Sequence, residues 1–507
     1  VYRARQVQEG QRNLYGLELI QSARIVERLD PGDTIVPLEV FVAEGQLHRV
    51  RTGLGWTTLD CLNAEARWAS RNFGGGARRL TVRGRVSNIL AEELNATACS
   101  QAGSGRFAEL NGQLSVELAQ PWFLSPRNSL SLSTFLERQS VPNVFVRRAL
   151  GLNLSASRIL GRRAVLSLGF QPTLTQLDAA EVFLCSSFLA CLPSDLRIFQ
   201  EASWLSPLSL RLTQDWRNSL LNPSSGYYWL IDVEHARDYT GSDFTFDRAA
   251  FEASAYQRSG SVVFAARVRA GVVGSGSFRS TRESAVELVH PQKRFFSGGA
   301  NSVRGFAENE LGPRMLTTPI ERVLGVPEGG QVAPCTPEQL VGLGPLCDPS
   351  ALSDDAFNYR PVGGTWVAEA NLEVRFPLFV PSLQGVAFFD AGQVWVNRAD
   401  ATLSDLASSP GVGVRYMSPI GPVRVDLGYG SRAAERLPVA VSRIRAWDPG
   451  TDALDRRLVV RTADGGQQAI DWVATDDLEF LFPSRTFGGA GSFLSRLQLH
   501  ISLGQAF

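Results

Sequence analysis

From about Leu47 onward, apolar and polar residues trade places with a period of two, the spacing that puts alternate side chains on opposite faces of a strand. Leu80, Val82, Gly84 and Val86 alternate with Thr81, Arg83, Arg85 and Ser87. Leu110, Gly112, Leu114, Val116 and Leu118 alternate with Glu109, Asn111, Gln113, Ser115 and Glu117. Later, Trp366, Ala368, Ala370, Leu372, Val374 and Phe376 oppose Glu369, Asn371, Glu373 and Arg375, and Val423, Val425, Leu427 and Tyr429 oppose Arg424, Asp426 and Gly428. Tight turns at Asn72 to Ala77, Gly161 to Arg163, Ser259 to Ser261 and Ser418 to Pro422 interleave with long connections. The long ones run from Ala91 to Gly105, Asp178 to Arg197, Gly274 to Arg360 and Arg432 to Ser492. A soluble sandwich also alternates, but its connections are rarely so unequal. Short turns at one end and long loops at the other are the pattern of a transmembrane β-barrel. The count is about sixteen strands between His48 and Phe507, an even number, as single-chain bacterial barrels require.

Residues 1–46 break the pattern. Leu14, Leu17, Leu19 and Ile20 give Gln11 to Ser22 the spacing of a short amphipathic helix. Ala23 to Arg28 and Val36 to Val42 read as two strands joined by the turn Asp30-Pro31-Gly32-Asp33. The expected organisation is therefore a small α/β domain over 1–46 and an all-β, 16-stranded antiparallel barrel over 47–507. Its largest loops are the sixth (274–360) and the eighth (432–492).

Composition narrows the function classes. Hydrophobic residues make up 44% of the 507, yet no apolar run reaches the length of a transmembrane helix, about 20 residues. A barrel escapes that test because only alternate residues face lipid. Formal net charge is zero and no basic block occurs, so nucleic acid is not an expected partner. Lys293 is the only lysine, a bias that reads as genome composition more than function. Trp56, Trp68, Trp122, Tyr227, Tyr228, Trp229 and Trp395 fall near strand ends, where aromatics form interfacial girdles. The chain shows no Gly-x-Ser-x-Gly elbow, no His-Glu-x-x-His and no Walker loop, and the expectation is that it is not an enzyme and takes no cofactor.

Six cysteines form an even set: Cys61, Cys99, Cys185, Cys191, Cys335 and Cys347. By the strand count all six fall in the long loops. An oxidising location suits disulfides, although six cysteines allow 15 connectivities. The topology favours Cys61–Cys99 between loops one and two, Cys185–Cys191 within loop four and Cys335–Cys347 within loop six. Metal binding is the competing use, but the four histidines are scattered, no Cys-x-x-Cys occurs, and no metal site is expected.

Two segments carry chemistry. Arg294 to Phe306 reads RFFSGGANSVRGF, an arginine set among small residues, and Leu497 to Phe507 reads LQLHISLGQAF, an amphipathic strand closing on an aromatic. With Asn358 to Phe379, Gly385 to Trp395 and Gly411 to Gly430, they resemble the BamA family of outer-membrane assembly and translocation barrels. The resemblance covers essentially the whole chain and is most specific after Phe295. It implies that the 1–46 segment is the second half of a periplasmic POTRA domain. It also implies that the loop carrying Val303, Arg304, Gly305 and Phe306 folds back into the lumen, with Glu373 and Asp390 clasping Arg304 and Glu369 in reserve. Alternation supports Glu373 on the polar face. Asp390 fits less well because Val386 and Phe388 share its face. On the residues alone, Glu369 and Glu373 read equally as water-facing residues of a pore wall.

The resemblance further implies an outer-membrane insertase of a Gram-negative-type bacterium. A lateral gate would lie between Arg51, Gly53, Gly55 and Trp56 on the first strand and Leu497, Leu499, Ile501, Leu503, Gly504 and Phe507 on the last. The implied partners are outer-membrane lipids, unfolded outer-membrane protein clients, and periplasmic lipoproteins or other assembly-complex subunits. A TamA-like or two-partner-secretion translocator of a restricted client set is the alternative within the fold, and a passive pore the alternative outside it. Gly53 and Gly55 weaken the first strand, because glycine adds no packing and costs entropy, though they serve curvature equally well. Loop eight departs from the family. It is long, acidic at Asp448, Asp452, Asp455, Asp464, Asp471, Asp476, Asp477 and Glu479, and has a strand-like piece from Arg457 to Thr462. An ordered cap shared with loop six is expected there.

Overall fold

The computed structural model describes the chain except residues 1, 29–34, 58–60, 95–98, 100–104, 142–144, 162, 180–200, 279–286, 328–329, 331, 344, 346, 350–351, 381, 397, 419–420, 432–434, 488–492 and 504–506. Cys185, Cys191, Gly504 and the Asp30–Asp33 turn lie outside the described residues. The chain forms two compact units. One holds residues 1–142, 146–176 and 203–210; the other holds 143–145, 177–202 and 211–507.

The first unit opens with α1 (Ala4–Tyr15), then β1 (Ile20–Glu27) and β2 (Leu38–Glu44), which pair antiparallel. The helix starts seven residues before the position that apolar spacing indicated, and Leu17 to Ile20 lie beyond it. Gly16 ends it, its N–H bonding the carbonyls of Arg12 and Asn13. An antiparallel meander follows: β3 (His48–Thr57), β4 (Cys61–Ser70), β5 (Arg79–Ile89), β6 (Asn111–Pro121), β7 (Asn128–Val141), β8 (Phe145–Leu160) and β9 (Ala164–Phe170). Gly53 pairs with Glu65 and Gly55 with Asn63; a methyl group at Gly53 would meet open space. Arg51 and Trp56 lie opposite Arg67 and Leu62. Cys61 is not in a loop: it opens β4, and it is bonded to Cys99 beyond the short helix α2 (Ala91–Leu94), with Cα atoms 5.2 Å apart. Next come β10 (Thr173–Ala179), β11 (Ser203–Leu205) and β12 (Leu208–Asp215), with breaks at Pro172 and Pro207, where the missing N–H interrupts the ladder.

The second unit continues with β13 (Gly226–Ala236), β14 (Phe244–Ser259), β15 (Val262–Phe278) and the short β16 (Glu287–Leu288). A loop containing β17 (Arg314–Thr317), α3 (Ile320–Leu324), α4 (Pro337–Leu340) and β18 (Asn358–Pro361) leads to β19 (Trp366–Pro377). Then follow β20 (Leu383–Trp395), β21 (Ala407–Ser418) and β22 (Gly421–Tyr429). The last part holds β23 (Glu435–Ala446), β24 (Val459–Arg461), β25 (Gln467–Ala469), β26 (Trp472–Phe487) and β27 (Leu497–Leu503). The ladder β13-β14-β15-β19-β20-β21-β22-β27 is antiparallel throughout. Because β15 extends to Phe278, the long loop begins later than Gly274.

Burial in this ladder is inverted relative to a soluble sheet. Glu373, Asp390, Arg415 and Asp426 are buried, while Leu372, Phe389, Val412 and Leu499 are exposed. A buried polar face and an exposed apolar face suit a sheet whose surroundings are hydrocarbon. No helix among the described residues is long and apolar enough to cross a membrane. The proposed girdle holds only in part, since Trp395 is buried, Trp68 stacks on His48, and only Trp122 and Tyr227 among those described are exposed.

Loops six and eight build a second sheet, β18-β17-β23-β26. Leu316 and Thr317 of β17 pair parallel with Val439 and Ala440 of β23. Beneath it lies an apolar core of Leu316, Ile320, Val323, Leu437, Val439 and Val441. Each such side chain contributes about 1.5–3 kcal/mol on burial. Cys335 and Cys347, bonded to each other, join this core. The strand-like piece of loop eight is the hairpin β24–β25.

Candidate functional site

The loop that follows Arg294 is built by glycine. Gly298 and Gly299 adopt φ of +100° and +104°, the left-handed region other residues avoid. Leu311 N–H bonds Ser297, and Phe306 N–H bonds Val303, so Val303 to Phe306 is a tight turn with Arg304 and Gly305 at its tip. A side chain at Gly305 would stand 2.7 Å from the Gly430 nitrogen, and one at Gly428 would stand 2.6 Å from the Arg304 carbonyl oxygen. Glycine at both positions lets the loop backbone press against the end of β22. Val303 and Phe306 are buried with Leu311.

The Arg304 side chain is fully buried. Its Nε and Nη2 donate to the two oxygens of Asp390 at 2.7 and 2.9 Å, a bidentate fork, and its backbone N–H adds a third bond at 3.1 Å. Nη1 donates to Glu373 at 2.6 Å and lies 3.8 Å from Asp426. The guanidinium sits 3.5 Å above the centre of the Phe388 ring. The inner face of β20 is therefore mixed: Phe388 and Asp390 share it, the one stacking on the arginine and the other pairing with it. Glu369, the reserve partner, does not touch Arg304. It accepts from Ser302 Oγ at 2.7 Å and pairs with Arg267 and Arg269.

Several members of the site were not singled out by sequence. Arg375 Nε donates to Glu373 at 2.7 Å, and Arg415 grips Asp426 through two bonds at 2.6 and 3.2 Å. Arg424 reaches Asn301 in the loop. Asn371 Nδ2 donates to the Ser302 carbonyl and to Asp390. His500 Nε2 on β27 donates to the Arg304 carbonyl at 3.0 Å. The signal was present in Arg415, Arg424 and Asp426, charges at strand parity inside the Gly411–Gly430 segment. Among the described residues the inner cluster holds four guanidiniums, of Arg304, Arg375, Arg415 and Arg424, against the carboxylates of Glu373, Asp390 and Asp426. That excess of cations makes Asp426, gripped by Arg415, harder to lose than Arg424. In the loop itself, burial and then the charge of Glu369 push the Glu308 carboxyl above its usual range.

On the last strand, Leu497 and Leu499 pair with Tyr429 and Leu427, and the backbones of Ile501 and Leu503 with Val425 and Val423. Phe507 does not share the exposed face of Leu499; its ring lies on the clasp side, against Arg267 and Tyr256. No group of His, Cys, Asp and Glu among the described residues is arranged to hold a metal ion.

An inverted antiparallel sheet with a loop arginine clasped against its polar face is the arrangement expected of an outer-membrane β-barrel protein. The family comparison agrees: the Omp85 superfamily domain matches residues 72–436, and the chain belongs to that superfamily. Among solved structures it is similar in fold to BamA from Haemophilus ducreyi lacking POTRA domains 1–3. That match has 17% identity and a TM-score of 0.58, covering 84% of this chain and 75% of that one. CdiB from Acinetobacter baumannii matches at 13% identity and a TM-score of 0.44, covering 85% of this chain and 66% of that one. CdiB from Escherichia coli matches at 12% and 0.46, covering 85% and 68%.

Proposed function

We propose that this chain is an insertase that folds client β-barrel proteins into the outer membrane through a lateral gate between β3 and β27. The observation that carries the reading is the Arg304 clasp. A passive pore requires no loop returned to its polar face and fixed there by a bidentate pair, a cation–π contact and a histidine bond from β27. An insertase does need a braced wall, because one seam must part while the rest of the ladder holds.

In this reading β3 to β15, β19 to β22 and β27 close as one barrel. Counting each proline-broken pair, β9 with β10 and β11 with β12, as one strand gives sixteen among the described residues. Residues 1–46 form the end of a periplasmic POTRA domain, an assignment supported by the order α1, β1, β2. An open seam offers unpaired backbone groups on which a client strand satisfies its own before meeting lipid. Lipids, unfolded clients and periplasmic accessory subunits are the proposed partners, and no enzymatic step is involved.

The test is reconstitution into lipid vesicles with an unfolded outer-membrane protein, its folding followed by heat-modifiable gel mobility. The reading predicts faster folding than in empty vesicles, with the client embedded in the bilayer. Client delivered across the bilayer would favour a secretion translocator. Ion conductance without any acceleration would leave only a pore.

A further inference from the structure

A strand that kept its period beyond Leu503 would carry Phe507 onto the face of Leu499, which is exposed. The ring is found elsewhere. Its centroid lies 5.4 Å from the guanidinium carbon of Arg267 and 6.4 Å from the Tyr256 ring, tilted by 33°. Tyr256 and Arg267 are both buried, on β14 and β15, and their registers place them on the clasp face: Tyr256 opposes Ala265, which opposes Glu373, and Arg267 opposes Asn371. Between β27 and β15 in the ladder stand β22, β21, β20 and β19. The Phe507 ring thus lies on the polar face, against strands well separated from β27 in the ladder.

We propose that Tyr256 and Arg267 form an intramolecular binding site for the aromatic ring of Phe507, and that this latch couples Phe507 to the Arg304 loop. The coupling has short links. Arg267 stacks on the ring while its Nε donates to Asn371 at 3.0 Å and its Nη2 pairs with Glu369 at 3.4 Å. Asn371 and Glu369 are the residues that hold Ser302, one through the carbonyl and the other through the hydroxyl, each at 2.7 Å. Ser302 stands two residues before Arg304. A cation shared between an aromatic face and two loop anchors transmits the position of one to the other, because moving the guanidinium off the ring shifts both anchors. Tyr256 completes the site, and Arg375 covers its ring at 5.7 Å.

The ligand class is an aromatic side chain, and the chemistry predicts that shape alone is insufficient. Leucine fills comparable volume but has no quadrupole for the guanidinium.

The experiment uses the whole chain in detergent or vesicles. With the photoreactive phenylalanine analogue p-benzoylphenylalanine at position 507, cross-links are expected on peptides containing Tyr256 or Arg267. In parallel, amide hydrogen exchange over 297–306 is expected to quicken roughly fivefold in Phe507→Leu, the size of one cation–π contact, and to remain slow in Phe507→Tyr. Arg267→Lys keeps a cation and should retain the Tyr256 cross-link. Cross-linking only to lipid or detergent would overturn the site. A seated ring with unchanged exchange in Phe507→Leu would overturn the coupling. Neither outcome depends on whether the barrel inserts clients.

Discussion

Arg304 and Asp390 meet through three hydrogen bonds, two from the guanidinium fork and one from the backbone N–H, all with both side chains shut away from solvent. The backbone bond matters as much as the fork, since it fixes the turn itself and not merely the charge it carries. Arg304→Ala leaves Asp390 without its guanidinium partner and Glu373 with only Arg375 and Arg415, and breaking a buried pair costs about 3–5 kcal/mol. Arg304→Lys should recover less than half, because an ammonium supplies no fork. Denaturant titration in detergent, read by heat-modifiable mobility, checks both. Wild-type stability in Arg304→Ala would remove the clasp from the account.

Asp426 provides the second prediction. The inner cluster already carries more guanidiniums than carboxylates, so Asp426→Asn strips Arg415 of its bidentate partner and widens the imbalance. A loss of about 3–5 kcal/mol is expected. Arg424→Gln moves the cluster toward balance and gives up chiefly its bond to Asn301, a net change of about 1 kcal/mol. The same titration should rank the two clearly, and equal losses would contradict the charge argument.

A pH effect is expected in loop eight. Arg445 donates two bonds of 2.6 Å to Asp452, and these, then the Asp448 N–H at 2.9 Å, hold its carboxyl at about 2. A depressed carboxylate contributes stability that is whole above its unfolded value, about 3.9, and is lost as pH falls through its folded one. Protection of amides around 448–453, taken relative to the unstructured exchange rate at each pH, should therefore match at pH 7 and pH 5 and fall between about 4 and 2. Asp452→Asn should lack that protection at every pH.

The Cys335–Cys347 bond closes a loop whose two ends lie in the core under β17 and β23. Reduction should open protease sites between α3 and β18 while the membrane ladder keeps its heat-modifiable mobility. Cleavage that appears instead throughout the chain, or unchanged resistance in the cap, would show that the staple has another role.

Much of this was legible in the chain. Alternation located the strands, and Glu373 announced itself by polar parity on β19. The Arg304 partners followed from the resemblance carried by VRGF and its companion segments. What parity alone misjudged was Phe388, because a barrel interior that receives a loop is not uniformly polar. Arg415, Arg424 and Asp426 escaped notice because only the folded loop shows which strands it meets. The β17–β23 pairing joins residues over a hundred positions apart, which no local pattern encodes. Helix α1 was misplaced because the apolar spacing of Leu17 to Ile20 continues past Gly16, where the backbone stops being helical.

The measurement that bears most directly on the central claim is a locked seam. A cysteine near Trp56 on β3 and another near Leu497 on β27, tried in several registers, would tether the two strands proposed to form the gate. The account predicts a folded barrel that no longer accelerates client folding when oxidised and recovers when reduced. Full client insertion by an efficiently cross-linked barrel would contradict it.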